Sequence, residues 1–403
     1  QVVYFEYNPR SQETAIAYPG TGGTARMDYD TLFRQTRVQA PSGSTAYFAY
    51  DAASQLSRQV LGNGTKLDVT YDGAGRIENW RYSTAAGASL TYFDYARDAK
   101  GLITKAVREA THTVYYTYDA SDRLTAELWA FTGASPSEVY GYRYAYDLAG
   151  NRTKARRNGV DAYYSYDQVN QLSVRGTSAS YATPTYYLYD QNGSLTDQIE
   201  PGGTSKFAYN PTGMVARILW QDASSTYFLY DGSLQRYGMV ENGTPAYFLW
   251  DGLDVLEELN PDFTTKERHT HRASPIAGIG QLVESYRPAE SASLQRIHPL
   301  MDPRGSITKW HQSDGSTVLA GQEYDAFGQA IPGSVAGSWP GRFRYQGQAW
   351  MAIKSGDGAQ ERFLSPFRIY DPVDGRFLQN EPLLDRRPLA HYLYVSNNPL
   401  SLA

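Results

Sequence analysis

The chain has 403 residues, a formal net charge of −5 and no cysteine. Disulfide and thiolate chemistry are excluded outright, and the charge balance argues against a nucleic-acid binder, which needs a concentrated positive field. No stretch approaches about 18 apolar residues, so no membrane-spanning helix is expected.

The anomaly in composition is 35 tyrosines. Tyrosine fits pleated, half-buried strands, and its hydroxyl wants a partner or water. Residue 1 is Gln and no signal-peptide pattern follows, so the sequence reads as a processed or partial piece of something longer.

From the N-terminus one unit recurs: an aromatic strand ending in Tyr-Asp, then a turn and a second strand. Its copies are Tyr29–Asp30, Tyr50–Asp51, Tyr71–Asp72, Tyr118–Asp119, Tyr146–Asp147, Tyr166–Asp167, Tyr189–Asp190 and Tyr230–Asp231. Degenerate copies are Tyr7–Asn8, Tyr95 with Asp98, Tyr209–Asn210 and Trp250–Asp251. Neighbours lie 20 to 28 residues apart. Side chains alternate along a strand, so Phe48 and Tyr50 share one face and Tyr47 takes the other. Tyr116 with Tyr118, Tyr164 with Tyr166, Tyr187 with Tyr189, Phe228 with Tyr230 and Phe248 with Trp250 pair in the same way, forming cross-strand ring ladders.

The repeated Asp reads as a turn-maker that accepts backbone N–H groups. Gly75, Gly150, Gly193 and Gly213 follow it where a left-handed backbone is easy. Asn63–Gly64, Asn158–Gly159 and Asn242–Gly243 mark the opposite hairpin ends. About 14 hairpins to residue 330 would give roughly 28 strands and about 130 Å of sheet. Such a sheet must curl, and its end strands need protection. The expected fold is all-β: tandem hairpins wound into a spiral, hollow or open sheet shell.

The period breaks near residue 298, so residues 1–297 read as the repeat array and 298–403 as a C-terminal plug. Ala155–Arg156–Arg157 and Asp385–Arg386–Arg387 read as surface charge. His269 and His271 would share a strand face, but no third ligand is in sight. Four glycosylation-type sequons begin at Asn63, Asn151, Asn192 and Asn242, three of them in turn Asn-Gly pairs. No nucleophile elbow, phosphate loop or dinucleotide fingerprint occurs, and no cofactor is expected.

The C-terminal third carries an ordered series of motifs. His298-Pro-Leu-Met-Asp302-Pro-Arg-Gly305-Ser306 is followed by Tyr324-Asp325-Ala-Phe327-Gly328 and Phe343-Arg-Tyr345-Gln-Gly347-Gln348. Then come Arg368-Ile-Tyr370-Asp371-Pro372-Val-Asp-Gly375-Arg376-Phe377 and Tyr392-Leu-Tyr394-Val-Ser-Asn397-Asn398-Pro399. With the Tyr-Asp units, this series resembles the Rhs/YD-repeat family, which includes bacterial polymorphic-toxin Rhs proteins, Tc-toxin C components, wall-associated proteins and teneurins. The resemblance implies a hollow β-sheet shell around a C-terminal effector, closed by a core that is also an aspartyl autoprotease. The family's catalytic Arg corresponds to Arg368. Its first Asp corresponds to Glu381, whose extra methylene displaces the carboxylate. Its second Asp would come just after Pro399, where Leu400-Ser401-Leu402-Ala403 stands; Asp385 is a substitute acid.

The expected function is therefore a secreted or cell-surface bacterial scaffold enclosing or presenting a polypeptide, either an effector or another shell subunit. The rival reading is an adhesion or glycan-binding module using Tyr ladders with Trp80, Trp129, Trp220 and Trp250. A third is a degenerate autoprotease at Arg368 and Glu381.

Overall fold

The computed structural model describes residues 2–20, 22–109, 112–131, 140–272, 281–331, 334, 336–356, 358, 360–365, 367–380 and 392–400. Among these, 30 strands from Tyr4–Tyr7 to Ala336–Gly337 form one antiparallel sheet, and five between Phe343 and Phe377 form another. Strands pair with their neighbours in the chain, and no described pairing joins the first strand of the large sheet to the last. The one described α-helix is a single turn, Ala292–Gln295, and no described helix is long and apolar enough to cross a membrane.

Each Tyr-Asp turn is written in five residues. At Asp72, Asp119, Asp167, Asp190 and Asp231 one carboxylate oxygen accepts the backbone N–H groups two and four residues on, at 2.8–3.0 Å. Asp51 accepts Gln55 N at 2.8 Å, and Asp147 accepts Asn151 N at 2.8 Å. The third residue after the Asp takes a positive φ, as at Ser54 (64°), Gly75 (77°) and Leu234 (65°). The Asn-Gly pairs divide. Asn158–Gly159 and Asn242–Gly243 have positive φ at both residues and close two-residue turns. At Asn63–Gly64 only Gly64 does, and Leu61 to Thr65 copies the Tyr-Asp turn.

Two features were not foreseen. The register shifts by one residue just before the repeat tyrosine, between Ala49 and Tyr50, Thr70 and Tyr71, and Ser165 and Tyr166, among others. Such bulges bend and twist the strand. The tyrosine hydroxyl then donates to the first residue of the preceding hairpin's second strand. Tyr50 reaches Gln35 O at 2.7 Å, Tyr71 Leu56 O at 2.9 Å, Tyr118 Ile103 O at 2.7 Å, and Tyr146 Leu124 O at 2.8 Å. Tyr166 reaches Arg152 O and Tyr230 reaches Val215 O, both at 2.9 Å. Tyr29 and Tyr209 make the same bond. Tyr189 does not; its own strand, Thr185–Tyr189, pairs with the preceding Leu172–Gly176 over two residues only.

Burial follows the expected alternation: Phe48 is 6% exposed and its neighbour Tyr47 54%. The expectation of exposed tryptophan ladders is overturned. Trp80, Trp129 and Trp220 are buried, and their indole N–H groups donate to Met301 O, Glu127 Oε1 and Thr226 Oγ1. Trp80 and Trp129 sit on the covered face of a strand and Trp220 at the turn that follows Val215–Leu219, where a large ring buries most apolar area. Trp250 alone is half-buried, set edge-on to Phe248.

The chain forms two compact units. The first holds Gln1–Asp94, Ala246–Glu323 and Ala330–Ala349. In it the early strands meet the late ones: Tyr18 donates to His269 O at 2.9 Å, and Asn63 Nδ2 to Gln312 O at 3.1 Å. The strand Asp254–Leu259 is buried along its length. Its Glu257 pairs with Arg268, and its Glu258 with Lys266 and Arg342. The second unit holds Tyr95–Pro245, Tyr324–Gln329 and Trp350–Ala403.

Candidate functional site

In the second unit, repeat strands hold one turn of the C-terminal segment through buried charges. The turn joins Ile369–Asp371 to Arg376–Phe377, which pair antiparallel. Asp371 builds it by accepting Val373 N at 2.8 Å and Asp374 N at 3.2 Å. Gly375 closes it with φ +66°, and a Cβ there would lie 2.5 Å from an Arg152 nitrogen, so a side chain would strain the backbone and push the Arg152 guanidinium from its place.

Three arginines from the strands Arg152–Arg157 and Leu172–Gly176 grip this turn. Arg157 donates to Val373 O at 2.7 Å and Pro372 O at 3.2 Å, and Arg152 donates to Asp374 O at 3.1 Å. Arg175 pairs with Asp374 at 2.9 Å, and Tyr187 donates to the other Asp374 oxygen at 2.7 Å. Asp371 in turn pairs with Arg362 at 3.1 Å. Arg152 is further sandwiched between the rings of Tyr144 and Phe327, at 4.6 and 4.1 Å, a cation–π arrangement that partly replaces its lost hydration.

A second node lies beside it. Asp325 accepts Phe327 N and Gln329 N, both at 2.9 Å, and its other oxygen is 3.6 Å from Arg157 Nε. Glu127 accepts Trp129 Nε1 at 2.8 Å and Ala326 N at 2.7 Å. Burial, reinforced by Asp325, pushes Glu127 up to about 7. Burial likewise raises Asp325 and Asp371 against their arginines. For Asp374 burial works upward too, but Arg175 and the Tyr187 hydrogen bond outweigh it and hold the carboxyl below its ordinary value. Further ties fix the rest of the segment: Arg376 donates to Asn170 O, Tyr392 to Gly193 O and Asn397 to Gly150 O. The carboxylates here face turn N–H groups, the Trp129 indole, the Tyr187 hydroxyl and arginines, with Asp325 Oδ2 and Asp371 Oδ2 held only by ion pairing. That arrangement ties the C-terminal turn to the repeat strands.

Of the two residues read as a catalytic remnant, Arg368 places its guanidinium 3.6 Å over the Phe377 ring, and its backbone N donates to Ser365 Oγ. Glu381 lies outside the described residues, as does the substitute acid Asp385. His269 and His271 are 6.4 Å apart between ring centroids, and among the described residues no group of three side chains is placed to hold a metal ion. The surface-charge reading of Arg156–Arg157 holds for exposed Arg156 and fails for Arg157, whose side chain is 16% exposed. Its partners come from 215 and 216 residues further along the chain, so local pattern carried no sign of them. Arg152, Arg175, Glu127 and Asp374 were missed for the same reason. The signal available was Asp374 itself, an acidic residue inside the otherwise structural Asp371–Phe377 motif.

A family model described as teneurin YD-shell matches residues 88–245. Double-stranded DNA deaminase toxin A of Burkholderia cenocepacia (strain H111) is 23% identical over 324 residues, covering 74% of this chain and 21% of that protein. The crystal structure of TcdB2-TccC3-Cdc42 superposes with a TM-score of 0.77 at 18% identity, over 99% of this chain and 21% of that one. The Photorhabdus luminescens Tc holotoxin pore gives the same score and identity, over 100% of this chain and 21% of that one. The chain therefore spans about a fifth of the length of these relatives.

Proposed function

Because this chain belongs to the Rhs/YD-shell family and is a scaffold of that type, we propose that it encloses or presents a polypeptide, an effector or another subunit. The observation that carries this reading is the second unit's treatment of its own C-terminal segment. Repeat strands hold that segment by arginines aimed at backbone carbonyls of the Pro372–Asp374 turn and by buried Arg–Asp pairs. Carbonyls are common to every polypeptide, so such a surface can retain chain with little regard to its sequence. The toxin relative and the Tc assemblies make a toxin effector, released from a secreted or surface bacterial protein, the cargo class of choice. No cleavage is assigned to Arg368 and Glu381; they are carried as a remnant of the family's core.

The test is limited proteolysis of the protein at its native length, followed by gel filtration in native buffer. The expected result is a resistant repeat scaffold that co-elutes with the fragment following it, the two separating only in denaturant. Separation in native buffer would sink the enclosure reading.

A further inference from the structure

In the second unit, the residue three before each repeat tyrosine from Tyr118 to Tyr230 points away from the core, because side chains alternate along a strand. In chain order these residues are Tyr115, Arg143, Tyr163, Tyr186, Lys206 and Tyr227. Tyr115, Tyr186 and Tyr227 are 45%, 47% and 41% exposed. This unit therefore offers tyrosine rings to solvent, while its Trp129 and Trp220 are covered. Three of the four rings face a cation on the preceding strand: Lys105 stands opposite Tyr115, Lys154 opposite Tyr163 and Arg217 opposite Tyr227. Lys154 Nζ lies 4.8 Å from its ring centroid, and the Arg217 guanidinium 5.1 Å from its own. Arg143 faces Arg156. The pairings make one row that crosses the strands from Ile103–Arg108 to Ser225–Tyr230.

Charge along the row does not balance. Its cations are Lys105, Arg143, Lys154, Arg156, Lys206 and Arg217, and its carboxylates among the described residues are Asp161 and Asp197. Lys154 and Arg156 share Asp161 at 2.9 and 3.8 Å, and Asp197 meets Lys206 at 3.3 Å. No carboxylate among the described residues pairs with Lys105, Arg143 or Arg217. This surplus stands on a chain whose formal net charge is −5. In the first unit the arginines opposite the same position are Arg37, Arg58 and Arg81, and each has its aspartate: Asp28, Asp68 and Asp94.

We infer that this row binds an acidic polysaccharide of the uronate-bearing kind. The tyrosine rings take the apolar C–H faces of its sugars, and the surplus Lys and Arg side chains take its carboxylates. Rings two strands apart stand about 10 Å from one another, a spacing an extended sugar chain meets at about every second ring. A Tyr ring suits such a polymer, since its face is apolar and its hydroxyl remains free to bond at the rim. The charge density selects the class of polyanion. The surplus is spread over strands that span about 50 Å, whereas duplex DNA carries a charge about every 1.7 Å and needs a far denser positive field. A polymer whose charges are separated by uncharged sugars matches the row. This activity lies outside the scaffold reading and does not depend on it.

The test is titration of the whole chain into three fluorescently labelled probes: a hyaluronan oligosaccharide, a neutral dextran of matched size and a single strand of polythymidine. The expected result is saturable binding of hyaluronan that weakens as salt rises, with no saturable binding of dextran and weaker binding of polythymidine. Tyr186→Ala and Arg217→Gln should each weaken hyaluronan binding about three- to tenfold. Tyr47→Ala, an exposed ring of the first unit, should leave it unchanged. Denaturant midpoints, measured in parallel, confirm that each variant is folded. The inference is overturned by no saturable binding of hyaluronan, by binding of dextran or polythymidine as tight as that of hyaluronan, or by indifference to salt. It is equally overturned if the folded row variants bind like wild type, or if Y47A loses as much as Y186A.

Discussion

The third residue after each repeat Asp must adopt a left-handed backbone, whatever residue stands there. Gly213 does so at φ +83° with nothing within 4 Å of a would-be Cβ, and Leu234 does so at φ +65°. An L-residue pays about 1 kcal/mol for that conformation. Gly213→Ala should therefore lower stability by about 1 kcal/mol, while Leu234→Gly should raise it by about 0.5 kcal/mol once glycine's entropy is counted; denaturant midpoints report both. Glu127 makes a second residue-scale prediction. Burial first, then Asp325, raises its folded value to about 7, against an unfolded value near 4.5. The contribution is thus present below about pH 4.5 and is lost as pH rises through about 7. Wild-type stability should fall relative to Glu127→Gln across that window, by at most about 1.4 kcal/mol per pH unit. Parallel pH profiles of wild type and E127Q would refute this.

At the element scale the hairpins were legible because their chemistry is local. An Asp carboxylate reaches N–H groups two and four residues on, and strand alternation has a period of two. The bulge before each tyrosine was not legible, since it is a relation between two strands and leaves no mark on either alone. Nor was the hydroxyl bond from Tyr50 to Gln35 O, which spans 15 residues. That bond makes the repeat tyrosine a suture between hairpins, beyond any ring ladder. Tyr50→Phe keeps the ring and loses the suture, so it should cost about 1 kcal/mol. Tyr47→Ala, on the exposed face of the same strand, should cost clearly less. Equal losses in the two denaturation curves would show that the ring, and not the hydroxyl, matters at Tyr50.

At the scale of the whole molecule, each unit is assembled from distant stretches of sequence. In the second unit Arg152 meets Asp374 O across 222 residues, and Arg175 meets the Asp374 carboxylate across 199. Removing one side of such buried pairs leaves uncompensated charge, at a cost of about 3–5 kcal/mol per pair. A chain ending at Glu323 should therefore lose protease resistance across Tyr95–Pro245, with cleavage sites mapped by mass spectrometry; a resistant 95–245 fragment would contradict the arrangement. By itself the sequence determined the all-β class, the hairpin spacing, the turn chemistry and the facing of Phe48 against Tyr47, because each depends on bonds or alternation within a few residues. Only the tertiary structure decided that Trp80, Trp129 and Trp220 are buried, and that Arg157 is a grip rather than surface charge. Those facts depend on which surfaces meet, and that is settled by burial and charge pairing between residues far apart in the chain.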